Sequence, residues 1–168
     1  MLTMIRVRTA MKSDAADMVA FMRALSIEAP DTITHRSPPG VEEGIEFINR
    51  AAVSNRSFIL LALDGDDVVG LLDFWTGSSR ETCHAARFGM SVLKDRRNQG
   101  IGRKLVETSI ARTSDWEGFC RIEAEVAPWN APAIHLYEQL GFQREGRKSK
   151  ALNIRGKPED MLMMARTW

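Results

Sequence analysis

Strand-like and helix-like segments alternate along these 168 residues in the order of a layered α/β fold, and three observations carry that reading. Two apolar runs, Phe58 to Leu63 and Val68 to Trp75, flank Asp64-Gly65-Asp66-Asp67, which is a hairpin signal. Ile101, Leu105, Val106 and Ile110 recur close to helical spacing behind a glycine-rich turn. A strand on either side of that helix, one reaching Leu93 and the next starting at Arg121, requires a parallel pair with the helix as its crossover.

Taken in order, Ile5 to Thr9 reads as a short strand. Ser13 is suited to cap a helix running to about Ile27, with Met18, Phe21, Met22 and Leu25 on one face. Pro30 to Gly40, rich in Pro, Thr and Asp, is a loop, and Val41 to Val53 is a second helix built on Ile45 and Ile48. Beyond the hairpin, Ala85 to Leu93 is a strand antiparallel to the one before it, reached through a polar, mobile connection at 77–84. A third helix covers about Gly100 to Arg112, and a strand covers Arg121 to Val126. Asn130 caps a fourth helix, which accepts Pro132 in its first turn because no internal N–H bond is lost there. Its inner stripe is Ala133, Leu136, Tyr137 and Leu140, and Gly141 is its stop. Phe142 to about Leu152 and Met161 to Ala165 form the last strands around the loop Asn153 to Pro158. No repeat or low-complexity tract interrupts residues 1–168, which read as one domain.

Hydrophobic residues make up 44% and charged residues 27%, the balance of a chain with a packed core. With 23 basic and 22 acidic residues the net charge is +1, without the basic excess of a duplex-binding domain, so nucleic acid is not expected as a partner. Lys94, Arg96, Arg97, Arg103 and Lys104 form a local cation cluster, which suits a multiply charged small ligand or a solvated helix start. Cys83 and Cys120 are too few for a disulfide scaffold. Met1 to Thr9 lacks a signal-peptide core, and no apolar run approaches the roughly 18–20 residues of a membrane span, so a cytoplasmic protein without a membrane partner is expected. His35, His84 and His135 lack partners at ligand spacings, so no metal site is expected.

The most informative stretch is Arg97-Asn98-Gln99-Gly100-Ile101-Gly102, placed between a strand and an amphipathic helix. Without a Cβ, Gly100 and Gly102 let the chain lie close to phosphate oxygens. The first N–H groups of the helix lack intrahelical partners and sit at its positive end, so the turn can cradle a diphosphate, with Arg97 as a cation at its mouth. The dinucleotide fingerprint fails because Leu105 holds the third glycine position, and no Gly-x-x-x-x-Gly-Lys-Ser/Thr string occurs. A bare strand-to-helix turn would explain the glycines equally well. A second block shifts the balance: Glu125-Val126-Ala127-Pro128-Trp129-Asn130, then Ala133, Leu136, Tyr137 and Gly141-Phe142.

With both blocks in this order, spanning about Met90 to Phe142, the chain resembles the GNAT superfamily of acetyl-coenzyme A dependent N-acetyltransferases. The resemblance implies a central, mixed but mostly antiparallel sheet of about seven strands flanked by four helices, with one parallel pair splayed where the co-substrate binds. It implies acetyl-CoA as co-substrate, no metal, and a homodimer through the last strands. It places the diphosphate on Arg97, Asn98, Gln99, Gly100, Ile101, Gly102 and Arg103, and the pantetheine amides on the backbone of Met90, Ser91 and Val92. Asn130 then contacts the pantetheine arm or a water beside it, a role compatible with capping the helix.

The implied chemistry is attack of an amine on a thioester. At pH 7 only roughly one lysine-like amine in a few thousand is neutral, against about one-tenth of α-amines near pKa 8, so a base matters more for the first class. Tyr137, the sole tyrosine, matches the residue that protonates the departing sulfur in many members, and a packed core aromatic is its bland alternative. Glu125 matches the proposed base of the subgroup that acetylates protein N-termini, acting directly or through water. Glu123 shares its side of the strand, and either could be an exposed sheet-edge charge. Lys94 replaces a frequent proline, and Phe88 to Leu93 carries no carboxylate where histone-type members have their base. Trp129 stands where a small residue is common and is placed to line the acceptor tunnel. Glu28, Asp31, Glu81, Glu159 and Asp160 lie in acceptor-side segments and could attract a cation or remain solvated. The acceptor is then a primary amine of a small molecule (amino acid, polyamine or antibiotic-like amine) or a protein N-terminus. Two rivals are a non-catalytic acetyl-CoA sensor and a nucleic-acid protein using the Lys94 to Lys104 cluster.

Overall fold

Seven strands, ordered β1-β2-β3-β4-β5-β7-β6, form one mixed sheet in the computed structural model, which describes residues 4–28, 39–154 and 156–168. The elements run β1 (Arg6–Thr9), α1 (Ala15–Glu28), α2 (Val41–Val53), β2 (Phe58–Asp64), β3 (Asp67–Thr76), β4 (Ala85–Val92), α3 (Ile101–Thr113), β5 (Arg121–Val126), α4 (Ala131–Gln139), β6 (Gln143–Ile154) and β7 (Lys157–Thr167). All neighbouring strands are antiparallel except β4 and β5, so the expected parallel pair joined through α3 is present. No helix among the described residues is long and apolar enough to cross a membrane.

Helices cover both faces, which is why the central strands are continuous apolar runs rather than alternating ones. On β2, Phe58, Leu60 and Ala62 join the core beneath α3 and α4, while Ile59, Leu61 and Leu63 join the core beneath α1 and α2. The α3–α4 core is centred on Phe74, fully buried and stacked on Phe58 at 4.6 Å. Truncating such a ring to alanine costs about 3–5 kcal/mol.

Three local expectations are corrected. Ser13 is not a cap: it lies within a single 3-10 turn, Lys12–Asp14, that precedes α1. Asp14 takes the capping part, accepting the Met11 N–H at 2.7 Å and both guanidinium nitrogens of Arg8 at 2.6 and 2.8 Å. An ionised acceptor paired with arginine outcompetes a hydroxyl for this place. The 77–84 segment is a connection as expected, built of turns with Cys83 N–H on the Ser79 carbonyl at 2.9 Å and Gly77 N–H on that of Ala85 at 3.1 Å. The last hairpin is longer than its polar sequence suggests, because β6 runs to Ile154 and β7 starts at Lys157. Lastly, the α4 stripe divides: Ile134 and Tyr137 enter the core, whereas Ala133 and Leu136 are half-buried against it. Most of the Pro30 to Gly40 loop, with Asp31 and His35, lies outside the described residues.

Candidate active site

β4 and β5 are paired only from Ala85↔Arg121 to Phe88↔Ala124. Past that point β4 stays bonded to β3 as far as Val92↔Gly70, and β5 to β7 as far as Val126↔Leu162. The two strands therefore part, and a cleft of about 600 Å³ opens between their facing edges. Met90, Ser91 and Val92 line it on one side and Glu125 and Val126 on the other. The Val92 carbonyl reaches this side, since the Arg97 Nε–H donates to it at 3.0 Å.

At one end of the cleft lies the start of α3. Gly100 is its N-cap in the left-handed region at φ 78°, and no side chain caps the helix. The first intrahelical bond there runs from Lys104 N–H to the Gly100 carbonyl at 2.9 Å, which leaves the amides of Ile101, Gly102 and Arg103 outside the helical ladder. A Cβ on Gly102 would meet Met90 Cε at 3.2 Å and Leu136 Cδ2 at 3.4 Å, so this turn approaches β4 and α4 closely. Arg97, Asn98 (φ 61°), Gly100, Ile101, Gly102 and Arg103 all border the cleft. Gln99 does not line it; its amide folds back onto the Asp95 carbonyl at 3.1 Å.

The cation cluster is narrower than its sequence suggests. Arg96 pairs with Asp64 of β2, and Lys104 Nζ bonds the Ile5 carbonyl beside β1, so both anchor the turn to the sheet. Arg103 bridges to Glu107 on its own helix and Gln139 on α4.

Tyr137 enters from α4. Its ring is 6% exposed and packs edge-on against Phe88 at 5.5 Å. Phe142 N–H bonds the Tyr137 carbonyl at 3.0 Å, Gly141 N–H bonds that of Glu138 at 3.1 Å, and Gly141 has φ 84°. This is a Schellman stop, and the accompanying apolar contact is Phe142 on the Tyr137 ring at 5.7 Å. The motif that ends the helix thus fixes the phenol. Burial alone, with no hydrogen bond among its causes, pushes the phenol up to about 12. Asn130 caps α4, its side-chain oxygen accepting Ala133 N–H at 3.3 Å, and also lines the cleft.

Glu125 lies on the other face of the sheet. Ala124 and Val126 belong to the α3–α4 core, so the alternation of β5 turns Glu123 and Glu125 toward the α1–α2 side. Because β5 is interior, neither is the sheet-edge charge that the sequence left open. Glu123 pairs with Arg121 at 2.8 Å, and Glu125, which lines the cleft, pairs with Lys148 of β6. An acid and a base in these places would meet from opposite faces, with the slot between them.

Other expected charges have local partners. Glu28 accepts the Lys94 N–H at 2.9 Å, tying the end of α1 to the segment before the turn. Asp160 accepts Lys150 N–H at 2.8 Å and Arg147 Nε–H at 2.5 Å, which hold its carboxyl below the usual range. Trp129 is 52% exposed at the cleft rim. Among the described residues no group of three potential metal ligands occurs. Gly89 and Leu25, which line the cleft, and Lys148, which holds Glu125, were not read as site residues in the sequence.

The description "Acetyltransferase (GNAT) family" fits residues 21–142 of the chain as a family model. The L-amino acid N-acetyltransferase AaaT of Escherichia coli K12 is 34% identical over 108 residues, 64% of this chain and 66% of that protein. The chain thus spans just under two thirds of that relative's length. The ribosomal protein uS5-alanine N-acetyltransferase of the same organism is 25% identical over 136 residues, covering 80% of this chain and 70% of its own. The crystal structure of an acetyltransferase of the GNAT family from Streptococcus pneumoniae superposes with a TM-score of 0.91 at 26% identity, covering 98% of this chain and 99% of that one. With the splayed parallel pair, the open helix start and these matches together, the chain belongs to the GNAT acetyltransferase family.

Proposed function

We propose that the chain transfers the acetyl group of acetyl-CoA to a primary amine of a small molecule. The observation that carries this reading is the slot between β4 and β5, which has an uncapped helix start at one end and the buried Tyr137 phenol at the other. The donor groups fit the co-substrate: free amides at Ile101 to Arg103 with Arg97 suit a diphosphate, and two unpaired strand edges suit the amides of a pantetheine arm.

In the reaction the amine nitrogen forms a bond to the thioester carbonyl carbon and the carbon–sulfur bond breaks. The nitrogen loses a proton and the sulfur gains one. Glu125 receives the nitrogen's proton directly or through water, from the α1–α2 face. Tyr137 faces the sulfur from the other. A phenol at about 12 would not yield its proton outright to a thiolate whose acid lies near 8.5, since that transfer is uphill by roughly 5 kcal/mol. Its service is therefore a hydrogen bond to sulfur as charge builds there; the thiolate takes its proton from water and Glu125 returns the nitrogen's proton to water, so one proton leaves nitrogen and one reaches sulfur overall.

The match to the uS5-alanine enzyme over 80% of this chain favours a second reading, in which the acceptor is a protein N-terminus. Thiol release from acetyl-CoA, measured with amino acids, polyamines, arylalkyl amines and a peptide starting with alanine, tests both. Release with a small amine supports the first reading and release with the peptide alone the second. Tight acetyl-CoA binding without release in any case would make the chain a sensor.

A further inference from the structure

The first turn of α3 and the outer side of α4 meet along one rim of the cleft, where a chain of three polar side chains joins them. Arg103 Nη2–H donates to Gln139 Oε1, and the Gln139 amide nitrogen lies 2.8 Å from His135 Nε2. All three residues border the cleft, and His135 and Gln139 are exposed one turn apart on α4. A guanidinium can only donate, so the Gln139 oxygen accepts and its nitrogen donates. His135 Nε2 is then the acceptor, and the ring carries its hydrogen on Nδ1.

This rim is distinct from the diphosphate turn. The Arg103 side chain is drawn along α3 away from the helix start, since Nη1 meets Glu107, one turn further on, at 3.4 Å. Its main-chain amide stays outside the helical ladder, and Arg97, whose Nε–H is held by the Val92 carbonyl, is the cation at the turn itself. The Glu107 contact is long and its carboxylate is 53% exposed, so a more highly charged anion can displace it at little cost. Coenzyme A brings such an anion. With its pantetheine arm between β4 and β5 and its diphosphate on the amides of Ile101 to Arg103, the ribose 3′-phosphate is the one charged group left without a partner.

We propose that Arg103 and His135 bind the ribose 3′-phosphate of coenzyme A, with Gln139 as the positioning residue that fixes both the guanidinium and the ring tautomer. This rests on the acetyltransferase reading above. A phosphate monoester carries about −1.5 to −2 charge at pH 7 and three acceptor oxygens, which suits a guanidinium fork beside an imidazole donor.

Calorimetry with coenzyme A and 3′-dephospho-coenzyme A tests this, because the two ligands differ only in that phosphate. Wild type should bind coenzyme A at least about ten-fold more tightly, the effect of a charge-assisted hydrogen bond. Arg103→Gln should abolish most of this preference and leave affinity for the dephospho ligand within about two-fold of wild type. His135→Ala and Gln139→Leu should each reduce the preference about three-fold. Equal affinity of wild type for the two ligands overturns the assignment. So does an Arg103→Gln variant that loses both ligands equally, which would return the guanidinium to the diphosphate, or full preference in His135→Ala or Gln139→Leu. A wild-type chain that binds neither ligand overturns the acetyltransferase reading and this one with it.

Discussion

The slot between β4 and β5 is bordered by different materials on its two sides. On the α3–α4 side the decisive features belong to the backbone: the left-handed Gly100, an uncapped helix start, unpaired strand edges, and the Schellman stop that fixes Tyr137. On the α1–α2 side the feature is a pair of side chains from separate strands, Glu125 of β5 and Lys148 of β6, joined across β7. Backbone geometry tolerates sequence change nearby and suits a ligand that never varies. Side chains assembled by register change with single substitutions and suit a ligand that does.

The harshest way to break this contrast is to fill the backbone side. Gly102→Val would press a branched side chain into Met90 and Leu136, moving the first turn of α3 away from β4. Coenzyme A affinity should fall by more than about 100-fold while circular dichroism still reports a folded chain. Retained affinity would remove the diphosphate from this turn.

Tyr137→Phe should slow turnover about 100-fold and leave coenzyme A affinity within about three-fold, because the ring contacts with Phe88 and Phe142 are kept. Burial raises the phenol to about 12, so it stays protonated across the working range. In a rate profile the alkaline side should show no fall attributable to Tyr137 below about pH 10. A matched loss of coenzyme A affinity in the variant would return Tyr137 to the core.

The same contrast explains what the sequence made readable. Strand and helix identities, the parallel crossover, Asn130 and the Gly141 stop all rest on local signals within a few residues, and each has its counterpart in the structure. The turn Arg97 to Gly102 was readable because glycine reports backbone geometry directly. The Glu125–Lys148 pair was not, since it depends on the register of β5 and β6 on β7, fixed by Glu125↔Met163 and Lys148↔Met161. Nor was the dispersal of the cation cluster, because the partners of Arg96 and Lys104 are Asp64 and the Ile5 carbonyl, far upstream. Ser13 failed as a cap for a related reason: Arg8, on β1, decides in favour of Asp14.

On the side-chain face Glu125→Gln sharpens the comparison. If Glu125 takes the amine proton, the loss should be about ten-fold for an acceptor of pKa near 10 and close to none for one near 8, which is already partly neutral at pH 7. Equal losses for both would assign the proton to water and leave Glu125 as the partner of Lys148.

The smallest effect separates scaffold from site on that same face. Asp14 and Arg8 lie outside the cleft but fix the start of α1, so Asp14→Asn should cost about 1–2 kcal/mol of stability with coenzyme A affinity unchanged. The Arg8 hydrogen bonds, aided by the Met11 N–H, hold the Asp14 carboxyl below its ordinary range. A depressed folded value means that the contribution is complete above the unfolded carboxylate pKa of about 3.9 and is lost as pH falls through the lower folded one. The gap in urea midpoint between wild type and Asp14→Asn should therefore be constant from pH 7 to about 5 and close below about pH 4. A gap that stays open in acid would mean that Asp14 holds α1 by shape rather than by charge.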